Sequence, residues 1–352
     1  MLALFAPAAV VLAAGLVTLA SVSWHLFTSQ LLWAALGVCA ILLLRFFDWR
    51  AFFTYRWLLW VLYSIAVLLL LAVLITAPVI RNTRSWLVLG PVGFQPVEFA
   101  KLVLILVYAS YFSRRHLAVA RWRTIAESFL IFVLPAGLTV FQPDLGSALV
   151  LFGIWFGFLL FSGLPRRRVF LALGAFLVVG ALAWQFALRD YHRERIIGLF
   201  YPERNALTYN YSVIQSKIAI GSAGLLGKGY GQGSQTQLGF LSEPEHDFIV
   251  SAFIEEWGVL PGVVVIGAFL VLLLRILRIG AHAQRNVEKF ICLGAAMVFG
   301  IHFLLNAGSA VGFMPVVGVP FPFLSYGGSH LLMSMVVLGM VNMVRRDSSS
   351  DA

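Results

Sequence analysis

The sequence predicts an all-α integral membrane protein: ten transmembrane helices, both termini cytoplasmic, and one large extracytoplasmic loop between the seventh and eighth helices. Three observations predict it. Of the 352 residues, 61% are hydrophobic and only 11% are charged, whereas a soluble domain carries about 25% charged residues. Ten apolar runs follow one another along the chain, and a helix needs roughly 20 apolar residues to cross the hydrocarbon core. Basic residues gather in alternate connections between those runs, which is how cytoplasmic loops are marked.

The first run, residues 3–22, has no charged segment ahead of it and is long enough to span, so it reads as a retained helix rather than a cleaved leader. Runs 28–44 and 57–77 follow, joined through Arg45, Arg50 and Arg56. The fourth and fifth, 97–112 and 126–141, are joined through Arg114, Arg115, Arg121 and Arg123. The sixth, 146–162, leads through Arg166, Arg167 and Arg168 to the seventh, 169–188. The eighth, 248–274, is separated from the ninth, 290–310, by Arg275, Arg278, Arg285 and Lys289, and the tenth, 326–344, ends on Arg345 and Arg346. In an even-numbered topology these clusters share one face, and the rule of positive loops makes it cytoplasmic. Membrane lipids therefore account for the net charge of +10, and no nucleic-acid partner is implied. Residues 1–352 form a single polytopic domain with a frayed tail from Asp347 to Ala352. Cys39 and Cys292 lie in apolar stretches and are expected in the core.

Residues 189–247, the predicted extracytoplasmic loop, hold 12 of the 40 charged residues. Irregular backbone is not tolerated against lipid at hydrocarbon depth, so this segment lies in water or packs on protein. Tyr201, Tyr209, Tyr211, Ile214, Ile218 and Ile220 are apolar anchors, and Ile218 to Leu226 predicts a short interfacial or re-entrant helix. Glycines at 221, 224, 227, 229, 231 and 233, beside Lys217 and Lys228, either present N–H groups to an anion or make a flexible connection. The loop closes on Glu243-Pro244-Glu245-His246-Asp247. Asp247 abuts the eighth helix, whose dipole favours the charged carboxylate. It is a candidate general base, a ligand for a divalent cation, or the helix N-cap.

Further ionisable groups fall where helices should be apolar. Glu98 and Lys101 share a face near the outer start of the fourth run, and Asp144 stands at the outer junction of the fifth and sixth. Glu255 and Glu256 lie about two turns beyond Asp247 on the eighth run. Charges at such depth are costly and face a polar interior. Two readings stand: an ion pair that only orients helices, or one cavity shared with the loop.

Several stretches resemble a known family. They are Asn82-Thr83-Arg84-Ser85-Trp86-Leu87-Val88-Leu89-Gly90, Phe94-Gln95-Pro96-Val97-Glu98-Phe99-Ala100-Lys101 and Gln142-Pro143-Asp144-Leu145-Gly146-Ser147. They continue with Ile214-Gln215-Ser216-Lys217-Ile218-Ala219-Ile220-Gly221, Gly227-Lys228-Gly229 and the long stretch from Pro315 through Ser325-Tyr326 to Ser329. Together they resemble the SEDS family (RodA, FtsW and SpoVE), and Val316-Val317-Gly318-Val319-Pro320 is most similar to its RodA branch. The resemblance covers about residues 20–345. The family pattern before its essential aspartate is proline-glutamate-any-histidine-threonine. Here Glu245 and His246 take the histidine and threonine places, and Tyr201-Pro202-Glu203 stands for a usual Asp-Pro-Glu.

The resemblance implies a peptidoglycan glycosyltransferase of ten transmembrane helices that polymerises lipid II at the outer face of the bacterial cytoplasmic membrane. It implies a class B penicillin-binding protein as transpeptidase partner, with lipid II and the nascent glycan strand as the reacting partners. The family's essential aspartate falls on Asp247, and its membrane acid and lysine fall on Glu98 and Lys101. Asp144, Gln215, Ser216, Ser325 and Tyr326 become supporting or substrate-binding residues. Asp247 would take the proton of the attacking hydroxyl. Lys101, Lys217, Lys228, Arg195 and a divalent cation (Mg2+ or Mn2+) are the candidates to meet the departing diphosphate. No organic cofactor is implied. Two other classes stay open: a flippase for lipid-linked precursors, which suits buried charges, and a non-catalytic scaffold that activates a cell-wall synthase.

Overall fold

A computed structural model describes residues 2–44, 46, 53, 55–78, 83–90, 92–115, 121–186, 190–201, 207, 208 and 210–350. Arg45, Asp48, Arg50, Asn82, Arg189, Pro202, Glu203 and Tyr209 lie outside the described residues. A helix stands on each of the first seven predicted runs: α1 (Leu2–Val22), α2 (Trp24–Leu44), α3 (Arg56–Thr76), α4 (Pro96–Arg115), α5 (Trp122–Phe141), α6 (Leu145–Phe161) and α7 (Arg166–Phe186). Then come α8 (Asp190–Phe200), α9 (Tyr211–Ser222), α10 (Ser234–Gln237), α11 (Ile249–Trp257), α12 (Val259–His282), α13 (Asn286–Val311) and α14 (Gly328–Ser350). Eight of the described helices are long and apolar enough to cross a membrane, α1 to α5 and α12 to α14.

The all-α expectation fails at one point. Leu87–Leu89 (β1) and Val92–Phe94 (β2) pair antiparallel, Val88 opposite Gly93, around Gly90 at φ +64°. A chain this apolar invites helix everywhere, but a left-handed glycine between two short β-prone triplets makes a hairpin instead.

α4 is the central helix. Nearly all its residues are buried, and it packs against α3, α5, α6, α13 and α14. Its C-terminal end meets a cluster of stacked rings, with Phe112 and Phe158 centroids 5.8 Å apart and Phe158 and Phe290 5.9 Å apart. Cys292 is buried here as expected, but Cys39 is exposed on α2. Lipid tails are as apolar as a core, so composition does not separate the two faces of a membrane helix.

The single helix expected over 248–274 is broken, and the short helix expected over 218–226 lies earlier, at Tyr211–Ser222. Both differences have one cause: the glycine-rich turn is stitched into the break. Helix ends leave N–H and C=O groups without intrahelical partners. The carbonyls of Glu255 and Glu256 at the end of α11 accept from the N–H groups of Lys228 (3.0 Å) and Gly229 (2.9 Å). The N–H groups of Val259 and Leu260 at the start of α12 donate to Gly224 (3.0 Å) and Leu225 (3.2 Å). Apolar residues flank the break on both sides, so periodicity runs through it unseen. Gly258 makes the corner at φ +96°, ψ 169°, and a Cβ there would strike the Leu225 carbonyl. Gly258→Ala is therefore expected to destabilise the protein by on the order of 1–3 kcal/mol, read as a lower unfolding temperature in detergent.

Candidate active site

The head of α4 carries the first half of the site. Proline is tolerated in a first helical turn, where its missing N–H has no intrahelical role, and Pro96 opens the helix. One turn on, the Lys101 ammonium donates to Glu98 Oε1 at 2.8 Å, both side chains being buried. Two histidines complete the cluster. Lys101 Nζ is 3.1 Å from His302 Nε2 on α13, and Glu98 Oε2 is 3.1 Å from His330 Nδ1 on α14. The two imidazoles stack with centroids 4.7 Å apart. An ammonium only donates, so His302 Nε2 accepts and its Nδ1–H donates to the Pro320 carbonyl at 2.9 Å. Both histidines escaped the sequence reading, although an ionisable residue inside an apolar run is itself a signal. Glu98, His302 and His330 bring ligand atoms within 4.8 Å of one another. A metal does not fit there, because the Lys101 ammonium already fills the space between Glu98 and His302.

Asp144 forms the second corner. It is the N-cap of α6, accepting from the Ser147 N–H at 2.9 Å and from Gln95 Nε2 at 3.2 Å. Burial raises its carboxyl above the ordinary value, while the Ser147 N–H pulls the other way. The N-cap alternative for Asp247 is not what the backbone adopts. Asp247 lies in a turn, the cap position of α11 falls on Phe248, and the Phe248 side chain caps nothing. The segment 315–330 holds this turn from the other side. Tyr326 N–H donates to Glu245 O at 2.8 Å, Ser325 Oγ donates to His246 O at 2.7 Å, and His246 Nδ1 is 3.0 Å from Tyr326 O.

A cavity of about 1440 Å³ joins these parts. Asp247, Asp144, Gln95, Arg195, Tyr326 and His330 line its polar end. From there it continues between α5, α6 and α7 past Phe129, Phe152, Trp155 and Phe176. Arg195 on α8 donates to Val316 O at 2.6 Å and also borders a smaller cleft containing Lys217.

Not every expected residue reaches this cavity. Glu98 and Lys101 stand behind His330 and are not among its lining residues, nor are Gln215, Ser216, Lys217 and Lys228. Ser216 is a packing contact, 2.6 Å from Ser251 Oγ and donating to Ala310 O at 2.6 Å. Lys228 binds Glu255 Oε1 at 2.8 Å. Glu255 and Glu256 do not line the cavity either; both are buried against the glycine-rich turn. Glu255 also accepts from Gln235 N (2.8 Å), Thr236 N (3.1 Å) and Thr236 Oγ1 (2.8 Å), while Glu256 accepts from Ser21 Oγ and Gln237 Nε2.

Burial alone would raise the Glu255 carboxyl, but Lys228 and those N–H and O–H donors outweigh it and hold it below its ordinary value. A lowered carboxylate stabilises the fold when ionised. Its contribution is full at neutral pH and is lost as pH falls from about 4.3, the ordinary glutamate value, through the lowered one. The protection of amides over residues 228–237, taken relative to their intrinsic exchange rates at each pH, is expected to fall across that window in the wild-type protein. Glu255→Gln should already show low protection at neutral pH, and that protection should change little as pH falls.

The fold and the site thus define a polytopic membrane protein in which two aspartates line a cavity with largely apolar walls. The chain belongs to the FtsW, RodA and SpoVE family of cell cycle proteins, whose model matches residues 1–350. It is 38% identical over 282 residues to the peptidoglycan glycosyltransferase MrdB of Escherichia coli K12, covering 80% of this chain and 75% of that protein. It resembles the rod shape determining protein RodA of Thermus thermophilus at TM-score 0.74 and 30% identity, over 99% of this chain and 97% of the other. It also resembles, at TM-score 0.84 and 34% identity over 98% and 97%, a chain from a solved peptidoglycan synthase complex described as coordinating polymerization and crosslinking.

Proposed function

We propose that the chain is a peptidoglycan glycosyltransferase that builds glycan strands from lipid II during cell elongation, with Asp247 as its general base. One observation carries the residue assignment: the carboxylate stands where a polar pocket turns into a long apolar groove, which suits a substrate with a sugar head and a polyprenyl tail. In the reaction the acceptor's 4-hydroxyl attacks the anomeric carbon, and the bond from that carbon to the diphosphate oxygen breaks. Asp247 takes the hydroxyl proton, and the bonding electrons leave on the diphosphate. Arg195, at the edge of the same cavity, meets that negative charge. Asp144, held by Ser147 and Gln95, faces the substrate as an acceptor, and Tyr326 shapes the wall beside it.

A divalent cation fits beside this site. Glu243, Glu245 and His246 bring ligand atoms within 4.8 Å of one another, and Tyr326 O orients the imidazole through Nδ1. Bound there, Mg2+ or Mn2+ would supply further positive charge for the leaving diphosphate. The protein would lie in the bacterial cytoplasmic membrane with ten spans, α1 to α7 and α12 to α14. Its arginine-rich connections and both termini would be inside and residues 189–247 outside. A class B penicillin-binding protein would crosslink the strands, as the solved synthase complex suggests. The test is polymerisation of lipid II by the purified protein with that partner in liposomes, read as glycan chains on a gel. Turnover of lipid II without chains would favour another transfer reaction, and none at all would favour the flippase or scaffold.

A further inference from the structure

We infer that Asn306 is the positioning residue for Asp247, a role that rests on the reading of Asp247 as the base. Asn306 sits on α13, 2% exposed, 60 and 59 residues away in sequence from the two it holds. Its Nδ2 lies 3.3 Å from His246 O, 3.3 Å from Asp247 O and 2.9 Å from Val319 O. The first two carbonyls belong to the peptide groups on either side of the Asp247 Cα. Two fixed peptide planes leave φ and ψ of the residue between them no freedom, and that direction sets where its Cβ and carboxylate point. The third carbonyl ties the same amide to the segment 315–330. His302, one turn earlier on α13, holds the next carbonyl, Pro320 O, so one helix face grips this segment twice.

Asn306 meets the His246 and Asp247 carbonyls and the segment 315–330 at once. Ser325 Oγ donates to His246 O and accepts from the Phe321 N–H, and the Asp247 N–H donates to Glu243 O at 3.2 Å within the turn itself. An amide is the side chain the position requires: it offers two hydrogens to surrounding carbonyls. A carboxylate there would turn an acceptor towards three acceptors, and a methyl group would leave buried carbonyls short of a donor.

The test compares wild type, Asn306→Ala, Asn306→Asp and Ser325→Ala in lipid II polymerisation, with amide exchange of residues 244–248 measured on the same preparations. A misplacement of about 1 Å costs on the order of 10²-fold in rate. Both Asn306 variants are therefore expected to lose about 10- to 100-fold in kcat, with KM little changed, and Ser325→Ala to lose less. Exchange over 244–248 should quicken in the Asn306 variants while α13 keeps its protection. The inference is overturned if kcat is retained, if activity falls only with the folded fraction, or if KM rises while kcat holds. Should wild type itself make no glycan, the glycosyltransferase reading fails, and unchanged exchange at 244–248 would separately refute the positioning role.

Discussion

Asp247→Asn is expected to abolish glycan synthesis, lowering kcat by about 10²–10⁴-fold, the usual worth of a positioned general base. The substitution keeps the shape of the side chain and removes both its charge and its basicity. The fold should survive it. Asp247 does not occupy the cap position of α11, and the contacts from Asn306 and to Glu243 use its backbone. Intact unfolding temperature, intact partner binding and no glycan chains together would make the carboxylate catalytic. Undiminished polymerisation would sink that role and move the base to Asp144, the other aspartate of the cavity.

Lys101→Met should give the largest loss of stability. Removing one partner of a buried ion pair costs about 3–5 kcal/mol, because the remaining charge is stranded. Here the stranded group is Glu98, 4% exposed, left facing the His330 imidazole. His302 would also lose the donor to its Nε2. The double variant Glu98→Gln with Lys101→Met should recover much of the loss, since a neutral amide replaces the stranded carboxylate. Thermal unfolding of the three proteins in one detergent decides it. A single variant as stable as wild type would reduce the pair to an incidental contact, and the double variant tests whether charge or packing matters. Because His302 and Asn306 share a face of α13, the single variant should also slow polymerisation.

The apolar runs were enough to place the helices, eight of them among the described residues long and apolar enough to cross a membrane, because roughly 20 residues of uniform hydropathy leave few alternatives. The acids at 98, 144 and 247 were legible for a related reason: a charge inside a greasy chain needs a polar neighbourhood. Their grouping was legible less completely. Asp144 and Asp247 line one cavity, while Glu98 and Lys101 belong to a buried cluster behind it. Lys228 looked like an anion ligand by its glycines, yet its charge is spent on Glu255.

By itself the sequence determined a membrane protein and the order of its helices, since both follow from composition over a short window. Only the tertiary structure decided that the eighth run breaks at Gly258, that His302 and His330 close around Glu98 and Lys101, and that Asn306 holds the turn of Asp247. Those features depend on hydrogen bonds between residues tens or hundreds of positions apart, and local hydropathy carries no record of which distant carbonyl an amide will meet.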